Sequence, residues 1–182
     1  MFRVLTCLTV QHDWRLVSLA GLVCFISSIV AITIFHHAVA SRGRTRAIWI
    51  AIAGGAFGYG IWATHFIAML AYDPGIGSGY GITLTALSLV AAMAVTSLGF
   101  AVAAWKAGSW GATLGGGIIG VGIASMHYLG MSALEVPGHV TWLAALVIAS
   151  IVLGVVFGIA AMLIASHFRG KFWAVVSACL SR

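Results

Sequence analysis

Five apolar stretches leave this chain few folds to choose from. They run over residues 16–35, 47–70, 82–105, 110–134 and 141–166. About 20 consecutive apolar residues in a helix cross the hydrocarbon core of a bilayer. The predicted fold is therefore all-α, a polytopic transmembrane bundle of five spanning helices. A short apolar C-terminal remnant, 172–180, is too short to span. The charge count supports this: 7% of the 182 residues are Asp, Glu, Lys or Arg and 62% are hydrophobic. A water-soluble domain carries roughly 25% charged residues, so this chain cannot clothe itself in a polar surface. Its length suits a single membrane domain, 1–182.

The net charge of +6 is loop charge. Arg42, Arg44 and Arg46 occupy one connection, Lys106 another, and Arg169 and Lys171 a third. Basic connections beside spans orient a membrane protein with those connections in the cytoplasm. Nucleic-acid binding is not expected. Asp13, Asp73 and Glu135, the three carboxylates, all fall at the opposite helix ends. The expected placement is multi-pass in a bacterial inner membrane, with a periplasmic N-terminus. Cys7, Cys24 and Cys179 show no paired spacing, so neither a disulfide framework nor a zinc knuckle is indicated.

The chain repeats itself as helix pairs. Each unit opens with a polar or aromatic residue on the outer side (His12, Tyr80, His139). An apolar helix goes in, a basic turn follows and a glycine-rich helix returns. Two units are complete, and a third stops after its first helix. Gly54/Gly58, Gly116/Gly120 and Gly154/Gly158 follow the GxxxG spacing, which lets helix backbones approach closely in lipid.

Both returning helices end in a histidine with a methionine four residues on: WATHFIAMLAY (62–72) and SMHYLGMSAL (125–134). Residues four apart share a helix face, so His65 sits with Met69 and His127 with Met131. Imidazole and thioether aimed at one spot from two helices suit a soft metal ion. Two His plus two Met favour copper over zinc. A haem held between the two histidines is the alternative. Intramembrane histidines also serve to bond a neighbouring helix, and methionines to fill gaps. Met126 adjoins His127 and points about 100° away around the helix. It joins the site only if the site lies between faces.

The elements THFIAM (64–69) and MHYLGM (126–131), the YDPG that follows the first (72–75), and the alternating repeat resemble the bacterial MHYT domain. The likeness covers 12–169. It implies an integral membrane sensor domain, not an enzyme, that binds copper at the outer side through Met, His and Tyr. It further implies sensing of oxygen, carbon monoxide or nitric oxide, or of redox state. Relatives often carry cytoplasmic GGDEF or EAL domains, so an output partner in cyclic di-GMP signalling is implied. Thr64 stands where the family has methionine, and Leu129 where it has threonine. A third element on a sixth helix is absent, which leaves open a homo-oligomer in which a second copy supplies it.

Further ligands come from the same outer side. His12 and His139 are solvated loop residues or additional ligands from above. Tyr128 is an interfacial belt residue or, on the family reading, a ligand or hydrogen-bond partner. Asp13, Asp73 and Glu135 are surface groups, helix caps, or orienting partners of the ligand histidines. His36, His37 and His167 lie on the basic side and are expected to meet headgroups or water. A copper-handling transporter is the rival function. It needs ligands at several depths, and mid-membrane the chain offers Met93, Cys24 and hydroxyls.

Overall fold

The computed structural model describes residues 12–72, 79–106, 108–135 and 142–167. In chain order the elements are α1 (Trp14–Ala40), α2 (Gly43–Leu70), β1 (Gly79–Tyr80), α3 (Ile82–Trp105), α4 (Ser109–Ser132), β2 (Leu134–Glu135) and α5 (Ala144–His167). All five helices are long and apolar enough to cross a membrane. Each packs on the next in sequence, and α2 also touches α4. The C-terminal remnant lies outside the described residues.

The end carrying Arg42, Arg44, Arg46 and Lys106 is the basic end. Its two tight turns each place a glycine in left-handed backbone, Gly43 at φ 59° and Gly108 at φ 86°. An L side chain there clashes with the backbone carbonyl. At the opposite end, each complete unit closes on itself with strand-type pairing. His12 bridges Tyr72, and Asp13 N–H donates to the Ala71 carbonyl at 2.9 Å. In the second unit Tyr80 pairs with Leu134 and Gly79 with Glu135, and Gly81 N–H donates to the Ala133 carbonyl at 2.8 Å. The repeat expected from sequence is thus a repeat of geometry, and this is the strand end.

The helix limits differ from the sequence expectation in two places. α1 runs on to Ala40 rather than stopping at 35, because His36 is buried, not solvated. It is 3% exposed, and its Nε2 donates to the Ala165 carbonyl on α5 at 3.2 Å. Its expected contact with headgroups or water is corrected accordingly. α4 stops at Ser132 rather than 134, because Leu134 leaves the helix axis to pair with β1.

Lipid tails supply no hydrophobic drive between helices, so close approach and interhelical hydrogen bonds must hold the bundle. A Cβ on Gly58 would stand 2.7 Å from the Met93 backbone of α3. One on Gly120 would stand 2.6 Å from the Gly154 carbonyl of α5. The glycine stripes therefore seat α2 on α3 and α4 on α5. Thr96, 1% exposed, donates across the first seam to the Gly54 carbonyl at 2.8 Å. Nearer the basic end, Phe35, Ile50, Phe100, Ile119 and Met162 join one apolar core drawn from all five helices.

Candidate metal centre

The C-terminal turns of α2 and α4 meet just inside the strand end. Seams to α3 and α5 hold the two helices there. Trp62 Nε1 donates to the Thr85 carbonyl at 3.2 Å and to Ser88 Oγ at 3.1 Å, tying α2 to α3. Thr64, at the position of the missing methionine, donates to Gly60 within its own helix and to the Ala20 carbonyl of α1. On the other flank the Tyr128 hydroxyl bonds Ser150 Oγ and the Val147 carbonyl, tying α4 to α5.

Between these seams His65 and His127 face each other. Their ring centroids are 4.9 Å apart, the planes nearly perpendicular at 72°. The two Nδ1 atoms are 3.4 Å apart, one donating and the other accepting. A tetrahedral ion holding two imidazole nitrogens at about 2.0–2.1 Å keeps them about 3.3–3.4 Å apart. The observed spacing matches the span that a shared ion would require.

The far side of His65 is closed. A Cβ on Gly130 would fall 2.6 Å from His65 Nε2 and 3.4 Å from Phe66 Cζ. Only glycine there lets the imidazole lie against α4. His65 Nε2 is buried with no hydrogen-bond partner. An orphaned buried polar atom costs about 1–3 kcal/mol, a cost that a purely structural histidine would be expected to avoid. Phe66 packs edge-on to His65 at 5.1 Å and to Tyr80 at 5.7 Å, with Trp62 beyond it at 4.9 Å. Desolvation pushes the Tyr80 phenol above its ordinary pKa, so the aromatic wall stays neutral.

The candidate sulfur donors differ in burial. Met69 and Met131 are half-buried on the histidine faces of their helices. Met126 is 1% exposed and belongs to the interior. It stands one turn before Gly130 on the same face of α4, so that face is turned to the bundle interior. Among the described residues no group of three or more His, Cys, Asp or Glu side chains could hold an ion. Thioether sulfur from Met69, Met131 or Met126 would select a soft ion, and two imidazoles with thioethers suit copper.

The outer candidates sit as follows. His12 stacks on Tyr72 at 5.3 Å over the first strand pair. Asp13 is the N-cap of α1, accepting from Arg15 N–H at 2.9 Å. Glu135 is exposed, its carboxylate against Gly79 and Gly81 of the β1 segment. Tyr128 touches the His127 ring at 5.1 Å, but its hydroxyl is engaged by α5. Asp73 and His139 lie outside the described residues. Sequence reasoning passed over Gly130 and Phe66. Gly130 had a signal, since it stands three residues after His127 on the same helix face.

Comparison with known proteins bears on the same residues. The sequence profile of the MHYT family, described as a bacterial signalling protein N-terminal repeat, matches at 58–116 and again at 120–178. The two matches put His65 and His127 at equivalent positions. An uncharacterized signalling protein of Caulobacter vibrioides is 43% identical over 169 residues, 93% of this chain and 21% of that protein. Two proteins of Pseudomonas aeruginosa also align. The bifunctional diguanylate cyclase/cyclic di-GMP phosphodiesterase MucR is 34% identical over 87% of this chain and 23% of its own length. The cyclic di-GMP phosphodiesterase NbdA is 33% identical over 66% of this chain and 15% of its own length. The chain thus spans about a fifth of these relatives, and the enzyme names describe whole proteins of which only this part is matched. No solved structure matches the chain.

Proposed function

The chain belongs to the MHYT family of bacterial signalling repeats, and on that premise we propose that it senses through a copper ion shared by His65 and His127. The carrying observation is the pair of Nδ1 atoms, 3.4 Å apart, presented by equivalent positions of two repeats. Met126, Met131 and Met69 are the sulfur donors. The strand end faces the periplasm and the basic end the cytoplasm, across the inner membrane. Copper supplies an open coordination position for oxygen, carbon monoxide or nitric oxide, or a one-electron change of state. The residues do the rest. Whichever ring donates would carry its proton on Nε2 instead, so that both neutral imidazoles turn Nδ1 lone pairs to the site. Gly130 and Phe66 fix the His65 ring, and the aromatic wall of Phe66, Trp62 and Tyr80 limits water.

A change in the spacing of the two imidazoles moves α2 against α4. Tyr128, beside His127 and bonded to α5, passes that movement to the last helix described. The names of the Pseudomonas relatives support cyclic di-GMP turnover as the output class. A haem is less well served by this geometry, since two rings that hydrogen-bond directly leave no slot for a macrocycle between them.

The test is titration of the purified protein with cuprous ion against a competing chelator. One equivalent should bind the wild type, and a double His65→Ala, His127→Ala variant should bind none. Equal binding by folded wild type and variant removes the site.

A further inference from the structure

At the basic end, far from the histidine pair, the five helices leave a cavity of about 710 Å³. Its floor is apolar, with Phe35 and Met162 3% and 5% exposed. Its rim is cationic and aromatic: Arg46, Lys106, Trp105 and His167 line it. Trp105 is 64% exposed and sits where an indole marks the headgroup level of a bilayer.

Among the described residues, whose carboxylates are Asp13 and Glu135, the rim has no matching anion. Both lie at the strand end, a membrane span of about 30 Å away. Arg46 is held in place by neutral acceptors, Nε donating to the Ser41 carbonyl at 3.0 Å and an Nη to the Val39 carbonyl at 3.2 Å. Those bonds fix the guanidinium before any ligand arrives, and leave further N–H donors of its five unused. The α4 N-terminus, which lacks a side-chain cap, borders the same space through Gly108, Ser109 and Ala112.

We propose that this cavity binds an anionic phospholipid, with the phosphate between Arg46 and Lys106 and the upper acyl chains over Phe35 and Met162. Basic recesses between membrane helices recognise acidic headgroups in this way. The apolar floor and the depth set by Trp105 favour a lipid over a free phosphate, which would leave the floor uncovered.

Native mass spectrometry of the full chain in neutral detergent tests this, with phosphatidylglycerol, phosphatidylcholine and inorganic phosphate as probes. Phosphatidylglycerol should be retained at least tenfold more than phosphatidylcholine and should raise the unfolding temperature. Inorganic phosphate should do neither. Lys106→Gln should lower phosphatidylglycerol retention several-fold without loss of fold, because the Lys106 side chain is exposed. Arg46→Gln should lower it further, with some destabilisation from the lost α1 contacts. Arg44→Gln, at the same end but outside the cavity, should leave retention unchanged. Equal retention of the two lipids overturns the proposal. So does an equal loss with Arg44→Gln and Lys106→Gln, which means diffuse attraction, or a phosphate effect matching that of the lipid.

Discussion

Replacing Gly130 with alanine perturbs the proposed centre while leaving every donor in place. The new Cβ would stand 2.6 Å from His65 Nε2 and 2.9 Å from Cδ2, against 3.4 Å for an ordinary contact. The imidazole must retreat by about 0.8 Å, and the steep repulsive wall leaves no compromise at shorter range. The push falls on the side of His65 turned away from His127, so it displaces the ring and changes the 3.4 Å spacing of the two Nδ1 atoms. Two bonds of about 2.0–2.1 Å to a tetrahedral ion tolerate little departure from a spacing of about 3.3–3.4 Å. A change beside a ligand that spoils its placement typically weakens metal binding about 10–100-fold. Cuprous affinity measured by chelator competition should fall by that factor. Overpacking alone costs about 1–3 kcal/mol, so thermal unfolding in the same detergent reports whether the fold survives. Gly117→Ala on the same helix is the control, because its Cβ would meet only the Ile159 side chain at 3.9 Å. Affinity within about twofold of wild type in folded Gly130→Ala would refute the claim that Gly130 sets the imidazole spacing.

Other perturbations separate the scaffold from the site. Thr96→Val removes the bond to the Gly54 carbonyl and should cost about 0.6 kcal/mol in detergent, with copper affinity unchanged; calorimetry and titration check both. Gly58→Ala drives a Cβ into the Met93 backbone at 2.7 Å, where nothing flexible can yield, and should cost about 1–3 kcal/mol. Gly21→Ala, with nothing within 4 Å, should be neutral or stabilising by up to about 1 kcal/mol, so equal unfolding temperatures for the two variants would contradict the packing account. Tyr128→Phe breaks the hydroxyl link to Ser150 and Val147 and should leave cuprous affinity within about threefold of wild type. A larger loss would make the phenol a ligand and not a tie to α5.

The five spans, the repeat and the two histidine–methionine elements were legible because each rests on local pattern: apolar run length, basic turns and a four-residue offset. The Asp13 cap was legible for the same reason, standing one residue before α1. What escaped the sequence depends on which helix meets which. GxxxG spacing at Gly58 and Gly120 announces close approach, but only the bundle shows that the partners are α3 and α5. His36 sits in a chain segment that looks solvated, and its burial follows from α5 crossing α1 at Ala165. Gly130 was hidden differently. Its role appears only once His65 arrives from another helix, although its place in MHYLGM put it on the right face. The near-complete burial of Met126 likewise depends on neighbouring helices and cannot be read from one helix alone. A site between two helices uses the flank of each, not its centre line.

Packing also decides where such a bundle can respond. Towards the basic end, the helices share one apolar core in which Phe35 meets Phe100 at 5.0 Å and Phe57 meets the same ring at 5.8 Å. Close-packed side chains of this kind resist small displacements. Towards the strand end, α2 and α4 meet through the His65–His127 contact, and their other ties there run sideways, through Trp62 to α3 and Tyr128 to α5. A ligand that resets the spacing of one pair therefore works against few contacts at its own end and pivots on many at the other. The two strand pairs close each unit separately and do not cross from one to the other. On the proposed reading the units would stay intact while the angle between them changes.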